Sequence, residues 1–301
     1  MSDLILPSVP GSRVPPLPPE RADPYVLAAY DKSVRTWGIP NNLIRTTAWQ
    51  PGLARTLVDY ANSFIFDPVS YGNRPQPDGD PVAGCVLFPQ TGFLDRVTKE
   101  LVINLVSLLN RSRYSLTHHA FIGYTTLCRD LPHPDPAERA LRAEEMLLRL
   151  VDAEGRPAYE RRTYGEAGEP LYTEVQLLSL RLAETIHDDP HAVTDAQFAE
   201  LREVLRGEAD RAITTGPLAK TPDAGTPAYL DAYVNGMLTE LTWCIAHFDG
   251  LLNTWFTVLR VMDEIDVDAD GVNFVETYNR EVPERIKVRN NAVLGTTGWG
   301  R

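Results

Sequence analysis

Residues 94–110 read LDRVTKELVINLVSLLN, the most apolar stretch of the chain, with no glycine or proline inside it. A run of this length without a breaker favours a helix, because strands rarely exceed about eight residues. A helix that is apolar on nearly all sides has to be buried. The chain must therefore supply elements that cover it, and the flanking sequence supplies helical patterns.

Asp23-Pro24 offers an N-cap acid followed by proline at the first helical position, and the helix it opens runs to Trp37, where Gly38-Ile39-Pro40 stops it. Asn41 or Asn42 caps a short helix to Trp49, and Pro51 begins another that reaches about Phe66. Residues 67–93 are rich in Pro, Gly and Asp and read as a long loop, of the kind used as a lid or an interface element. After the apolar segment a second helix runs from Ser112 to Cys128, ended by Pro132, Pro134 and Pro136. ERALRAEEMLLRLVDAEG and LYTEVQLLSLRLAETIHDD are amphipathic helices. Thr194 with Gln197 makes a capping box for a helix through Arg206. Residues 227–262 read as one long buried helix, the tail from Val282 shows little helical pattern, and no strand pair is evident. The expected class is all-α: one helical domain over 23–281, with its central motif at 94–130 and a loop insertion at 67–93, between a proline-rich arm at 1–22 and a C-terminal arm at 282–301.

The chain has 301 residues and a net charge of -12, which gives no electrostatic reason to bind nucleic acid or an anionic membrane. No window approaches the roughly 18 unbroken apolar residues of a membrane helix. The N-terminus lacks the basic and apolar regions of a signal peptide. Three scattered cysteines, Cys85, Cys128 and Cys244, argue against a disulfide framework, and no CxxC occurs. A cytoplasmic protein acting on a small molecule is expected.

On the apolar helix the polar exceptions after Lys99 are Glu100, Asn104, Ser107 and Asn110, spaced i, i+4, i+7, i+10 along one face. A core carboxylate needs a partner or a wet pocket, unless it lies at a helix end and reaches solvent or an arginine. The next helix carries NRSRYSLTHHA, in which Ser112, Ser115 and His119 share one face at i, i+3, i+7. His118 lies about 100° round, so the two histidines point different ways. One can face a pocket while the other packs or caps.

These residues resemble the alkylhydroperoxidase D and carboxymuconolactone decarboxylase superfamily. The resemblance rests on Glu100, Ser112, Ser115 and His119, whose spacing matches the Glu, Cys, Cys, His of the peroxidase branch. NNLIRTTAWQPGLARTLVDYA is similar to the family's opening helices, and FAELREVL followed by the helix with Glu240 supports the match. The resemblance implies an alkylhydroperoxidase D-like helical bundle and a homo-oligomer: a dimer, trimer or hexamer. It implies that Glu100 and His119 are a proton-relay acid and base, and that Ser112 and Ser115 stand where the redox cysteines would. Serine has no oxidation ladder, so peroxide reduction is not expected.

What remains is an acid–base pocket, and the first expectation is a cofactor-free lyase or isomerase, similar in reaction type to the decarboxylase branch. His119 would move the proton and Glu100 orient it. Ser112, Ser115 and Tyr114 would donate to an oxyanion or carboxylate, with Asn104 and His118 lining the site. Arg113 would bind a substrate carboxylate if it turns inward. The alternative is a metal enzyme: Glu240, Cys244 and His247 share a face at i, i+4, i+7, and Glu100, His119, Glu240 and His247 could converge on a divalent transition metal. A serine hydrolase would use Ser115 or Ser112 with His119, but nucleophile and base would share one helix and no G-x-S-x-G elbow exists. A non-catalytic ligand-binding role is a further alternative.

Two features stand apart. Asp266, Asp268, Asp270 and Gly271 match the first positions of a calcium loop, but Thr277 occupies its twelfth, so an acidic turn is expected. Tyr71, Phe88, Phe93, Tyr278 and Trp299 on the loop and the tail would be exposed aromatics that wrap a neighbouring subunit.

Overall fold

The computed structural model describes residues 11–37, 41–65, 93–160, 162–215, 225–264 and 274–295. Its first three helices are α1 (Pro24–Trp37), α2 (Asn42–Thr47) and α3 (Pro51–Ile65). The bundle follows with α4 (Arg96–Leu109), α5 (Arg113–Asp130), α6 (Pro136–Leu148), α7 (Glu174–Asp188) and α8 (Asp195–Thr215). Helix α9 (Pro227–Ala246) passes into a π-helical turn over His247–Asn253 and on into α10 (Thr254–Leu259). Helices α11 (Phe274–Glu281) and α12 (Glu284–Leu294) complete it. The protein is all-α, and among the described residues no helix is long and apolar enough to cross a membrane.

The apolar helix is the axis of the bundle. Every residue of α4 from Arg96 through Leu108 is buried, and α5, α7, α9, the π turn, α6 and α12 pack around it. Asp95 caps it by accepting from the Thr98 amide at 2.8 Å. The bonds predicted at other helix starts form as well: Asn41 accepts from Ile44 N at 3.0 Å, and Thr194 and Gln197 close a reciprocal capping box. Helices α1 to α3 form a layer with its own core of Leu17, Val26, Ala29, Tyr30, Ile44, Ala48 and Ala54, and α3 lies against α9.

Several expectations are corrected. The long final helix is interrupted by the π turn, and α8 continues past Arg206 to Thr215. A small hairpin pairs Thr163 with Pro170 and Tyr164 with Glu169, turning on Gly165 and Gly168 at φ +69° and +67°, which glycine adopts without strain. Residues 282–301 were expected as a non-helical arm, but 284–294 form α12, with Ile286, Arg289, Asn290, Val293 and Leu294 buried. Arg289 replaces an apolar anchor: it donates to the carbonyls of Leu147 (2.9 Å) and Leu148 (3.0 Å), which the end of α6 leaves open. Tyr278, expected to be exposed, is buried and accepts from Asn290 Nδ2 at 3.2 Å. In the arm at 1–22, the described residues lie along their own chain: Arg13 N donates to Leu259 O (2.9 Å) and Leu17 N to Arg45 O (3.0 Å). Most of the 67–93 loop, with Tyr71, Phe88 and Cys85, lies outside the described residues, as do Asp266, Asp268, Asp270, Gly271 and Trp299. Phe93, at the edge of that loop, packs edge-on to Tyr233 with ring centroids 5.1 Å apart.

Candidate active site

Helices α4 and α5 lie side by side because Asn104 staples them. Its Nδ2 donates to Glu100 O on its own helix and to His119 O on the other, both at 2.8 Å. Gly123 permits the approach: a Cβ there would stand 2.6 Å from Asn104 Nδ2. Farther along the same seam the Ser115 and Ser107 hydroxyls are 2.7 Å apart, and Ser107 donates to Ile103 O at 2.6 Å, so Ser115 is the donor of that pair.

This seam brings Glu100 to His119. Glu100 Oε2 accepts from His119 Nδ1 at 3.0 Å, and Oε1 is ion-paired with Arg96 one turn back on α4. Burial alone would raise the Glu100 carboxyl, but Arg96 and then His119 outweigh it and hold it below the ordinary carboxylate range. The carboxylate therefore stays ionised and fixes the proton of His119 on Nδ1, leaving Nε2 as the basic nitrogen. The His119 side chain keeps 12 % of its surface exposed, while Glu100 keeps none. The arrangement is a fixed imidazole at the edge of the core, oriented by a buried anion.

A series of rings continues from it. His119 meets Phe248 edge-on (centroids 4.9 Å), Phe248 meets His247 edge-on (5.2 Å), and His247 meets Tyr60 of α3 (4.9 Å). Tyr60 Oη lies 3.1 Å from His247 Nδ1, and Tyr60 in turn lies edge-on to Trp243. Burial, and second the neighbouring His119, push the His247 imidazole down to about 4.

His118 faces the other way, as the helical spacing requires. Its Nδ1 donates to Tyr114 O and its Nε2 to Glu264 Oε2, both at 2.8 Å, and Phe274 stacks on its ring at 3.9 Å. Both nitrogens are donors in this geometry, so the ring is an imidazolium. Burial works against that charge, but Glu264 and then Asp263 raise His118 above its ordinary value. The paired Glu264 is lowered, because His118 and its other donors outweigh its own burial. Glu264 Oε1 also accepts from Tyr114 Oη (2.9 Å) and from the Asn42 amide. Beside it Arg113 Nε donates to Asp263 Oδ2 (3.1 Å) and Thr117 Oγ1 to Asp263 Oδ1 (2.9 Å).

Of the residues singled out in the sequence, the structure joins Glu100 and His119 and gives most of the others different partners. Tyr114, Arg113 and His118, expected at the substrate, are committed to Asp263 and Glu264. Asn104 is the staple between the helices. Ser115 bonds to Ser107, and Ser112 occupies the N-cap position of α5 without a side-chain cap bond, its hydroxyl buried and without a partner among the described residues. Among the described residues no serine bonds to His119, so the hydrolase geometry is not formed. Glu240, a proposed metal ligand, is ion-paired with the buried Lys99 and accepts from the amides of Phe93 and Leu94 (3.1 Å), tying the start of α4 to α9. Among the described residues no group of three or more His, Cys, Asp or Glu is arranged to hold a metal ion. The sequence reading missed Asp263 and Glu264. Their one signal was a pair of acids directly after a buried helix, read as the start of an acidic turn.

No protein-family model matches the sequence, and no curated protein matches it. Among solved structures the chain is similar to the alkylhydroperoxidase AhpD core of an uncharacterized peroxidase-related protein from Ralstonia eutropha JMP134, at 14% identity and a TM-score of 0.49, over 85% of this chain and 94% of that one. That likeness assigns neither a family nor an activity.

Proposed function

We propose that this protein is an acid–base enzyme in which His119 moves a proton on a small enolisable carbonyl compound or organic acid. The chemistry would be of the lyase or isomerase type that the motif's resemblance to the decarboxylase branch implies. The observation that carries the reading is the Arg96–Glu100–His119 series. A fully buried carboxylate kept ionised by an arginine holds the imidazole at Nδ1 and leaves Nε2 for the substrate. A carboxylate in that position stabilises the imidazolium that forms when Nε2 takes a proton. In an isomerisation the C–H pair next to a carbonyl moves toward oxygen as His119 takes the proton, which is then returned to a carbon; in a decarboxylation the C–C pair moves toward oxygen as carbon dioxide leaves, and a protonated His119 supplies the proton that takes its place.

Thiol peroxidase chemistry is not part of the proposal. Ser112 and Ser115 hold the positions of the redox pair. Among the described cysteines, burial raises the Cys128 thiol against its bond from Tyr124, and burial pushes Cys244 up to about 12. Neither is an activated thiolate.

The test is exchange of solvent deuterium into a panel of 2-oxo and 3-oxo acids and their esters, followed by proton NMR, together with decarboxylation of the 3-oxo acids. The wild type is expected to turn over at least one member and His119→Gln to lose about 10²–10⁴-fold. Equal rates for wild type and His119→Gln, or robust hydroperoxide turnover with a dithiol reductant, would refute the reading.

A further inference from the structure

We propose that Asn104 is a positioning residue of this site: by bridging the main chains of Glu100 and His119 it sets the hydrogen bond through which Glu100 holds the imidazole, and Gly123 is the residue that admits the bridge. The catalytic consequence rests on the acid–base reading. Asn104 lies one turn after Glu100 on α4 and is buried. From a single nitrogen it donates to Glu100 O and to His119 O, both at 2.8 Å. It therefore joins the backbones of the two residues whose side chains meet at 3.0 Å. The residue type suits the place. A carboxamide nitrogen carries two N–H groups and can serve two carbonyls at once, whereas a hydroxyl has one proton and a carboxylate none. An ammonium has protons enough, but it would bring an unpaired charge into the packed seam.

Gly123 lies one turn after His119 on α5. A Cβ there would stand 2.6 Å from Asn104 Nδ2 and 3.7 Å from the Glu100 Cβ, so the close approach at this glycine is made to these two residues. The bridge matters because the two catalytic groups are anchored on different helices. Glu100 is ion-paired with Arg96 one turn back, so its carboxylate moves with α4. The imidazole moves with α5. A shift of one helix against the other therefore falls on the bond between Glu100 Oε2 and His119 Nδ1. The other polar contact of the seam, between the Ser107 and Ser115 hydroxyls, lies one turn before His119 and joins side chains only. Asn104 alone of these contacts grips α5 by the main chain of the residue that carries the imidazole.

Two measurements on the full chain decide it. The first needs no substrate: proton NMR of the His119 Nδ1–H, assigned by its loss in His119→Gln. In the wild type this proton is expected downfield, as one donated to a carboxylate. In Asn104→Leu, which keeps the volume and removes both donors, it is expected to move upfield or to exchange away. The second is deuterium exchange into the oxo-acid panel. Misplacing a reacting group by about 1 Å costs about 10²-fold, so Asn104→Leu is expected to lower kcat by about 10- to 10²-fold with little change in KM. The double variant Asn104→Ala/Gly123→Ala separates positioning from packing. Its new Cβ fills space that the carboxamide leaves, so it is expected to regain stability over Asn104→Ala while the Nδ1–H signal and kcat stay impaired. If Asn104→Leu keeps both signal and kcat, or if the double variant recovers both along with its stability, Asn104 only packs the seam. The proposal then fails and the acid–base reading survives. If the wild type exchanges nothing, the reading fails and the positioning role falls with it.

Discussion

His118 and His119 are consecutive, yet their imidazoles bond to different glutamates: His118 to Glu264 at 2.8 Å and His119 to Glu100 at 3.0 Å. One pair ties α5 to the segment after α10 and the start of α2. The other lies in the seam with α4, at the edge of the core. The two pairs respond differently to mutation and to pH.

Removing Glu100 leaves Arg96 buried without its carboxylate. Glu100→Leu is expected to destabilise by about 3–5 kcal/mol, whereas the double variant Arg96→Met/Glu100→Leu recovers most of that loss. Urea unfolding of the two variants checks this. A double variant as unstable as the single one would mean that the pair is not the source of the loss.

Lys99 and Glu240 form a second buried pair, in which burial outweighs Lys99 and leaves the Glu240 carboxyl above its ordinary value. Lys99→Met is therefore expected to move Glu240 further toward its protonated form and to loosen the start of α4, where the Phe93 and Leu94 amides depend on it. Amide hydrogen exchange at Leu94 should rise in that variant and stay unchanged in α11.

Gly123→Ala would gain about 1 kcal/mol of helix propensity in an open position. Here the new Cβ meets Asn104 Nδ2, which is held by two bonds. The expected net effect is a loss of about 1–3 kcal/mol. In the Asn104→Ala background the same substitution should be neutral or stabilising, and a thermodynamic cycle measures the difference.

The pH dependence of stability separates the histidines. His118 is raised on folding, so its contribution is full below its unfolded value near 6.5 and is lost as pH rises through the folded value. His247 is lowered to about 4, so its contribution is full above about 6.5 and is lost as pH falls toward 4, by about 3 kcal/mol in all. Glu264 and Glu100, both lowered, add to the loss on the acid side below about 4.5. His247→Phe should flatten the decline between pH 6.5 and 4, and His118→Gln the decline above 6.5. Denaturant midpoints measured from pH 4 to 9 would show whether each variant alters only its own arm.

Most of the helical architecture was legible because helices announce themselves locally. Asp23-Pro24, Asn41, Pro51 and the Thr194–Gln197 box marked starts that the structure keeps. The i, i+4, i+7 stripe put Glu100 and Asn104 on the face that meets α5, and helical rotation separated the two histidines. The partners of His118 were not legible, since Asp263 and Glu264 lie about 146 residues away in the chain and no local pattern links them. Glu240 read as a metal ligand because its own helix shows its face but not the lysine opposite. Helix α12 escaped notice because its buried face is anchored by Arg289 and Asn290, which look like surface residues until the open carbonyls of α6 are known.

The π turn at His247–Asn253 means that the count of residues here matters more than their identity. An i→i+5 turn holds one residue more than the i→i+4 turn of an α-helix. Among the described residues nothing lies within 4 Å of a Cβ added at Gly250. Deleting that same residue would let the turn relax to α with the helix beyond it still in register, so Phe256 would stay by Tyr114, and Asp263 and Glu264 by Arg113 and His118. An added residue has no such release and would turn everything beyond it by about 100°. The chain is thus expected to accept substitutions or the loss of one residue at position 250 and to reject an insertion there.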